Sequence, residues 1–350
     1  MEVSTATARP LFGLFSAVPY AVAVSLTGAM AYFVGNWRPL SFIYTIPALL
    51  RLVVANPWVL SESPRWLLLQ GRLAEAEAVL RKAAQLNKTQ HKLPTNLSHV
   101  IARVYQSECK RSVRQQGQLA SVRRLFSSTI MLKMMAVRTI ITVTIGILVM
   151  IIPLQSDSSG SPFVYMVVVG IVEVPAYIFP APLTTKFGRR PVIAGLLVTS
   201  CLLLLGLVAL EFLQLAHDWP TVVVLISAYM LLCATFQVNW MYSSELYPTE
   251  VRVLGTSINY VMNNVGYSIP PFVSAALPAE KQWCAVVLYS GLGLVSAALV
   301  YLLPETNKKP LPETIEQTET VWRKSKQKKQ MEFKGNSEPG NPDLSSHQKY

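Results

Sequence analysis

Charge is scarce in this chain. Only 14% of its 350 residues are Asp, Glu, Lys or Arg, against 51% that are hydrophobic, too few charges to cover a water-soluble surface of this size. Lipid is therefore the expected solvent. Cysteine is scarce too: Cys109, Cys201, Cys233 and Cys284 have no metal-ligand spacing, and three of them lie in apolar runs where a thiol acts as a small hydrophobe. Neither a disulfide framework nor a zinc site is expected. The histidines are His91, His99, His217 and His347, all in loops or tail, and a phosphate-cradling glycine loop is missing. Nothing supports hydrolytic chemistry, and an ATP-driven pump is excluded within this chain. The expectation is no enzyme, no catalytic residue, no metal and no cofactor.

The charge that is present is unbalanced, with a formal net of +12. In a soluble protein that excess would point to nucleic acid. Here it falls in two blocks, Arg65 to Arg124 and Lys308 to Lys349, separated by apolar stretches almost free of Lys and Arg. Cytoplasmic loops of membrane proteins collect positive charge in this way, so a lipid bilayer is the expected partner and nucleic acid is not.

A helix needs about 18 or more apolar residues to cross roughly 30 Å of hydrocarbon. Stretches near 11–34, 40–60, 130–153, 162–184, 190–213, 219–241, 253–276 and 283–303 qualify. This predicts an all-α polytopic membrane protein of about eight spans. The first stretch exceeds a signal-peptide core and shows no clear cleavage site, so it reads as a retained helix. Basic loops alternate with non-basic ones in the order that puts both termini in the cytoplasm, with the plasma membrane the expected location. The sequons at Asn87 and Asn96 then lie on the cytoplasmic side and stay unglycosylated. Four regions follow: 1–60 with two spans, 61–129 as a cytoplasmic loop, 130–303 with six spans, and 304–350 as a basic tail, disordered after a short proximal segment. Anionic lipid is a candidate contact for Arg323–Lys329, against a merely solvated tail. Within the loop, Leu73, Ala76, Leu80 and Ala83 recur at helical spacing with charges interleaved, which predicts a surface helix over Leu73–Leu86.

Three charged signatures stand at helix ends. They are Ser61-Glu62-Ser63-Pro64-Arg65-Trp66-Leu67-Leu68, Lys186-Phe187-Gly188-Arg189-Arg190, and Ser244-Glu245-Leu246-Tyr247-Pro248-Thr249-Glu250-Val251-Arg252. An Arg at a helix terminus can reach a carboxylate or exposed carbonyls, and Gly188 allows a tight turn. In this order and at these intervals, with Leu303-Pro304-Glu305-Thr306 following, the signatures resemble the major facilitator superfamily, and within it the solute carrier 22 family of organic cation, anion and zwitterion carriers. Sugar porters share some of these elements, but the Gln and Asn pattern of their seventh helix is not visible in Arg138–Pro153. The resemblance covers residues 11 to about 318 and implies a facilitator-type helix bundle that lacks the first four helices. Facilitator folds are built from three-helix repeats, and eight spans leave two beyond a complete six-helix half. Glu62, Arg65, Gly188, Arg189, Arg190, Glu245 and Arg252 are implied gating or structural positions. Thr185 stands where the family carries Asp, which implies that Arg189 and Arg190 lack their acidic helix-end partner.

Polar residues inside spans are costly and usually face a cavity or a partner. Glu173 lies mid-span with Tyr177 one turn on. It is either a cavity carboxylate for a cationic group or a proton, or a structural acid bonded to a neighbouring helix. Gln237 and Trp240 share a face with Cys233, and the resemblance places Gln237 at a substrate-facing position. Tyr260, Asn263, Asn264 and Tyr267 form a polar and aromatic stripe, too polar for lipid, although the amides could simply bond across helices. At Asn264 the family tends to carry Asp in cation carriers and Arg in anion and carnitine carriers, so a neutral amide implies a neutral or zwitterionic substrate, or lost transport. Arg51 is either an anion site or a snorkelling side chain. Two readings follow. One is a secondary transporter of a small organic ion or zwitterion, which binds near the midplane while two halves rock about it. The other is a shortened, non-transporting member that acts as a membrane interaction partner, in a homo- or hetero-oligomer.

Overall fold

The fold was described from a computed structural model covering residues 15, 17–54, 62, 64–114, 126, 128–154, 161–213, 218–248, 251–307, 312, 315–320 and 322. Twelve α-helices with defined bounds occur among these residues, and no strand. They are α1 Val18–Val34, α2 Trp37–Val54, α3 Pro64–Leu69, α4 Leu73–Leu86, α5 Leu97–Arg114, α6 Thr129–Leu154, α7 Pro162–Ile178, α8 Pro180–Phe187, α9 Arg189–Phe212, α10 Asp218–Leu246, α11 Arg252–Ala276 and α12 Gln282–Val300. Residues 33–123 form one compact unit, and residues 1–32 with 124–350 form the other.

In the smaller unit α3, α4 and α5 pack on one another. The helix predicted over Leu73–Leu86 is present with those bounds. Its apolar face buries Ala76 and Ala84, beside Leu67, Leu97 and Ile101. Its polar face carries Arg72–Glu75 and Arg81–Glu77 pairs, both at 2.7 Å. The bond from Arg81, seconded by Ser98, holds the Glu77 carboxyl below its ordinary range. Exposed pairs of this kind contribute little to stability. Arg51 is exposed in the last turn of α2.

The larger unit holds the long apolar helices. Five segments among the described residues are long and apolar enough to cross a membrane: Thr129–Pro153, Pro162–Phe187, Arg189–Phe212, Pro220–Leu246 and Gln282–Val300. Helices stand at the other three expected spans as well. However, α1 has only 17 residues, α2 carries Arg38 and Arg51, and α11 carries Asn259, Asn263 and Asn264, which lower their hydropathy. Residues 11–14 and 55–60 of the expected spans lie outside the described residues, as does Arg323–Lys329.

The span expected over 162–184 is present as Pro162–Phe187, divided into α7 and α8 by a single residue, Phe179, whose dihedrals stay in the right-handed helical region. Proline has no backbone N–H to continue the ladder and is tolerated at a helix start, and Pro180 begins α8 directly after Phe179. The core of this unit is built by α6, α9, α10, α11 and α12, with Met131, Met134, Ile141, Ile145, Leu148, Ile193, Leu197 and Leu232 all buried. Close approach at the α6–α11 crossing depends on small residues. A Cβ on Gly146 would stand 2.7 Å from the Asn263 carbonyl, and one on Gly266 would collide with the Val143 carbonyl. Small-residue contacts of this type are the common way membrane helices pack without a hydrophobic driving force. The chain also orders beyond α12: residues 315–320 are helical, and Trp322 is buried in the same core.

Candidate functional site

Two polar clusters lie in the larger unit, one around Glu173 inside the helices and one around Arg189 at their Gly188 end. Glu173 sits eleven positions beyond Pro162 in α7, about 16 Å along the helix at 1.5 Å per residue. It is only 6% exposed. The Tyr229 hydroxyl of α10 donates to Glu173 Oε1 at 2.8 Å. Oε2 is equally buried and has no hydrogen-bond partner among the described residues.

Five tyrosines, Tyr20, Tyr165, Tyr177, Tyr229 and Tyr267, lie within electrostatic reach of this carboxylate. Three elements besides α7 supply this surround. Tyr20 comes from α1, which approaches α7 closely because Gly28 and Gly170 carry no side chain: a Cβ on Gly28 would meet Met166 Cβ at 2.8 Å, and one on Gly170 would overlap Ser25. Tyr229, Cys233 and Gln237 recur every four residues on α10, and all are buried. Tyr267 on α11 stacks at a tilt on Phe236, 6.4 Å between centroids. The result is a buried, partly satisfied carboxylate with tyrosines of α1, α7, α10 and α11 within electrostatic reach.

The stripe read on α11 does not stay together. Asn263 is buried against α6 with its Oδ1 unpartnered, and Asn264 is exposed and donates to its own helix at the Tyr260 carbonyl, 2.8 Å. Neighbouring residues in a helix point about 100° apart, so one amide packs and the other faces outward. Trp240 and Tyr260, both partly exposed, meet edge to face at 5.7 Å. They lie on the same outward side as Asn264.

At the Gly188 end the expectation of a missing acid is wrong. Thr185 does lack a carboxylate, but two arrive from elsewhere in the chain. Glu245 takes Arg189 in a bidentate pair, Nε to Oε2 and Nη2 to Oε1, both 3.0 Å. Glu305 caps the N-terminus of α9, accepting from the backbone N–H of Arg189 at 2.9 Å and of Arg190 at 3.1 Å. A carboxylate there satisfies two orphan donors and meets the positive end of the helix dipole.

Gly188 makes the cap fit. Its φ is +97°, and a Cβ would stand 2.9 Å from Glu305 Oε2. Gly188→Ala therefore suffers both strain and a clash, and is expected to lower thermal stability by about 1–3 kcal/mol, read as an earlier midpoint in a melt of the detergent-solubilised protein. Arg190 lies over the Tyr301 ring at 5.3 Å, and Arg252 Nε donates to the Tyr247 carbonyl at 3.1 Å. Glu62 is exposed in the other unit, and the Arg65 side chain lies outside the described residues.

A third polar group lies in the apolar run of α6, at a position the sequence analysis does not assign. Arg138 is 1% exposed, nine positions beyond Thr129, where a charge costs about 2.5–3.5 kcal/mol on insertion scales. Its Nη1 donates to Asn239 Oδ1 at 2.6 Å and its Nη2 to the Asn239 carbonyl. An Arg in a span is a visible signal. The tyrosine donor to Glu173, Tyr229, gives less, since aromatic residues in apolar helices normally only pack.

A family model described as "Sugar (and other) transporter" matches residues 5–318. Among curated relatives, the "Organic cation transporter-like protein" of Drosophila melanogaster is 30% identical over 333 residues, 93% of this chain and 58% of that one. The "Organic cation/carnitine transporter 2" of Homo sapiens is 31% identical over 304 residues, 85% and 51% of the two chains. "Solute carrier family 22 member 1" of Sus scrofa is 30% identical over 315 residues, 89% and 54%. The chain thus spans about half the length of the curated relatives it matches. The proton:xylose symporter XylE bound to 6-bromo-6-deoxy-D-glucose superposes with a TM-score of 0.67 at 19% identity, over 92% of this chain and 69% of that one. The inward-open form of XylE from E. coli gives 0.55, also at 19%, over 91% and 67%. The likeness to XylE is one of fold.

Proposed function

This chain belongs to the sugar (and other) transporter family of the major facilitator superfamily, on its solute carrier 22 side, and from that premise we propose that it carries a small organic ion or zwitterion across a membrane by alternating access. Its relatives are membrane transporters rather than enzymes, and the bilayer is its solvent. The observation that carries the substrate reading is Glu173: a buried carboxylate with one oxygen held by Tyr229, the other without a hydrogen-bond partner among the described residues, and five tyrosines within electrostatic reach. A cationic group or a proton is the species that completes such a site, since a carboxylate inside a span needs a partner of opposite charge.

The depth fits. Glu173 and Tyr229 each lie eleven positions into their helices, or about 16 Å, near the middle of roughly 30 Å of hydrocarbon. The basic Gly188 end then faces the cytoplasm, and the contacts of Arg189 with Glu245 and of Glu305 with α9 act as a latch that forms in one state and opens in the other. Trp240, Tyr260 and Asn264, exposed together on one side of α10 and α11, are further candidate substrate contacts.

The reading is tested by uptake of labelled cationic, zwitterionic and anionic probes in cells with verified surface levels of this chain. Uptake of cationic or zwitterionic probes above vector control is expected. No uptake at good surface expression overturns the proposal. In the same assay, Asn264→Asp is expected to favour cationic over anionic probes by about 5- to 10-fold and Asn264→Arg to do the reverse, the scale of a modest charge interaction of about 1–1.4 kcal/mol.

A further inference from the structure

Among the described residues no carboxylate lies within ion-pair distance of Arg138, and its surroundings are Asn239, Tyr242 and Tyr247, all neutral side chains. Its Nε is buried without a hydrogen-bond partner. The Tyr242 ring covers it at 5.2 Å, and the Tyr242 hydroxyl is itself occupied, donating to the Pro304 carbonyl at 2.6 Å. Tyr247 is drawn into a bond from Asn259 Nδ2 at 3.2 Å. The guanidinium is thus enclosed on several sides by groups that already have other bonds.

The form of its contact with Asn239 is informative. Two parallel N–H groups of the guanidinium meet two oxygens of one residue, the side-chain Oδ1 and the main-chain carbonyl. A carboxylate would occupy that fork in the same bidentate manner. Asn239 fills the place of an anion without bringing its charge, so the positive charge stays uncompensated in a region of low dielectric. Such a position gains most from whatever brings a negative charge to it.

We infer that Arg138 is an anion site, closed over by Asn239 in the state described, and that it receives a compact, singly charged anion when α6 and α10 part. The occupant in transport is the carboxylate of the solute. This assignment of the occupant rests on the transport reading; the anion site does not. Glu173 and Arg138 contact α10 at Tyr229 and Asn239, ten positions apart, which is about 15 Å along the helix. The two charges therefore act as successive stations for the two ends of a zwitterion, with Arg138 the one nearer the Gly188 end.

The experiment is a thermal melt of the purified full chain in detergent, at fixed ionic strength, with the bulky sulfonate sodium morpholinoethanesulfonate replaced stepwise by acetate, benzoate or chloride. The wild-type midpoint is expected to rise saturably by about 5 °C, the scale set by binding to the folded state alone. Arg138→Met is expected to lose that increment. Asn239→Asp supplies the anion from within, so its midpoint in the sulfonate should start above wild type and gain nothing from added anion. A rise with acetate and benzoate assigns the occupant to the solute's carboxylate. A rise with chloride alone keeps the anion site and overturns the carboxylate assignment. Equal midpoints in all four salts, or an increment of undiminished size in Asn239→Asp, overturns the site, and this arm holds even if Arg138→Met does not fold. Failure of uptake leaves the melt unaffected, so the two proposals fail separately.

Discussion

Glu173→Gln is expected to lower uptake of cationic and zwitterionic probes by about 100-fold at unchanged surface abundance. The substitution keeps shape and keeps an oxygen for the Tyr229 hydroxyl, which donates to Oε1 at 2.8 Å. What it removes is the charge. A substrate ammonium that has left water for this site is balanced chiefly by the one carboxylate, and losing a desolvated charge partner costs about 2–5 kcal/mol, of which 2.7 kcal/mol is already 100-fold. Tyr229→Phe is the matching control. It leaves the charge and frees the second oxygen, so uptake is expected to change by less than 10-fold. A drop with Tyr229→Phe equal to that with Glu173→Gln would mean that the bond holds α7 to α10 and that the carboxylate is structural. The measurement is initial-rate uptake normalised to surface biotinylation.

How far the sequence foretold this arrangement differs by element. The amphipathic period over Leu73–Leu86 was sufficient to place that helix, because alternating Glu and Arg on one side and Leu and Ala on the other admit one orientation. The span over 162–184 is legible as one apolar run, but the single turn residue Phe179 within it is not, since a hydropathy window does not sense the missing N–H of Pro180. Glu173 was legible because a charge in an apolar run stands out. Arg138 was equally visible by that rule and was lost in a run read only for its missing Gln and Asn.

Partners were harder to see than sites. Tyr229 reads as packing until its hydroxyl is placed against Glu173. Asn263 and Asn264 read as one stripe, yet the helix turns one into the α6 contact and the other outward. Thr185 looked like a lost gate because the motif was read within its own loop. The replacement acids come from 56 and 116 residues further along the chain, Glu245 and Glu305. Contacts between distant segments are set by packing, and no local pattern carries them.

Breaking the Arg189–Glu245 pair should have the largest effect on folding. Its side chains are only 6% and 17% exposed, so the attraction is weakly screened, and removing one member leaves the other buried without its charge partner. Such deletions cost about 3–5 kcal/mol, a large part of the stability of an ordinary domain. Glu245→Ala is therefore expected to cut surface abundance several-fold and to advance the melt. Arg189→Ala should do more, because Arg189 also donates to the Thr184 carbonyl at 3.2 Å and to Asn307 at 2.5 Å. The charge-swapped double variant, Arg189→Glu with Glu245→Arg, separates a simple ion pair from a network. A pair alone would be rescued by the swap. Here Glu245 also accepts from Thr306 at 2.7 Å, and a Glu at position 189 would stand beside the Glu305 carboxylate that caps α9. No rescue is expected. Recovery of wild-type abundance in the double variant would show that only the 189–245 charge pair matters and that the Glu305 cap is incidental.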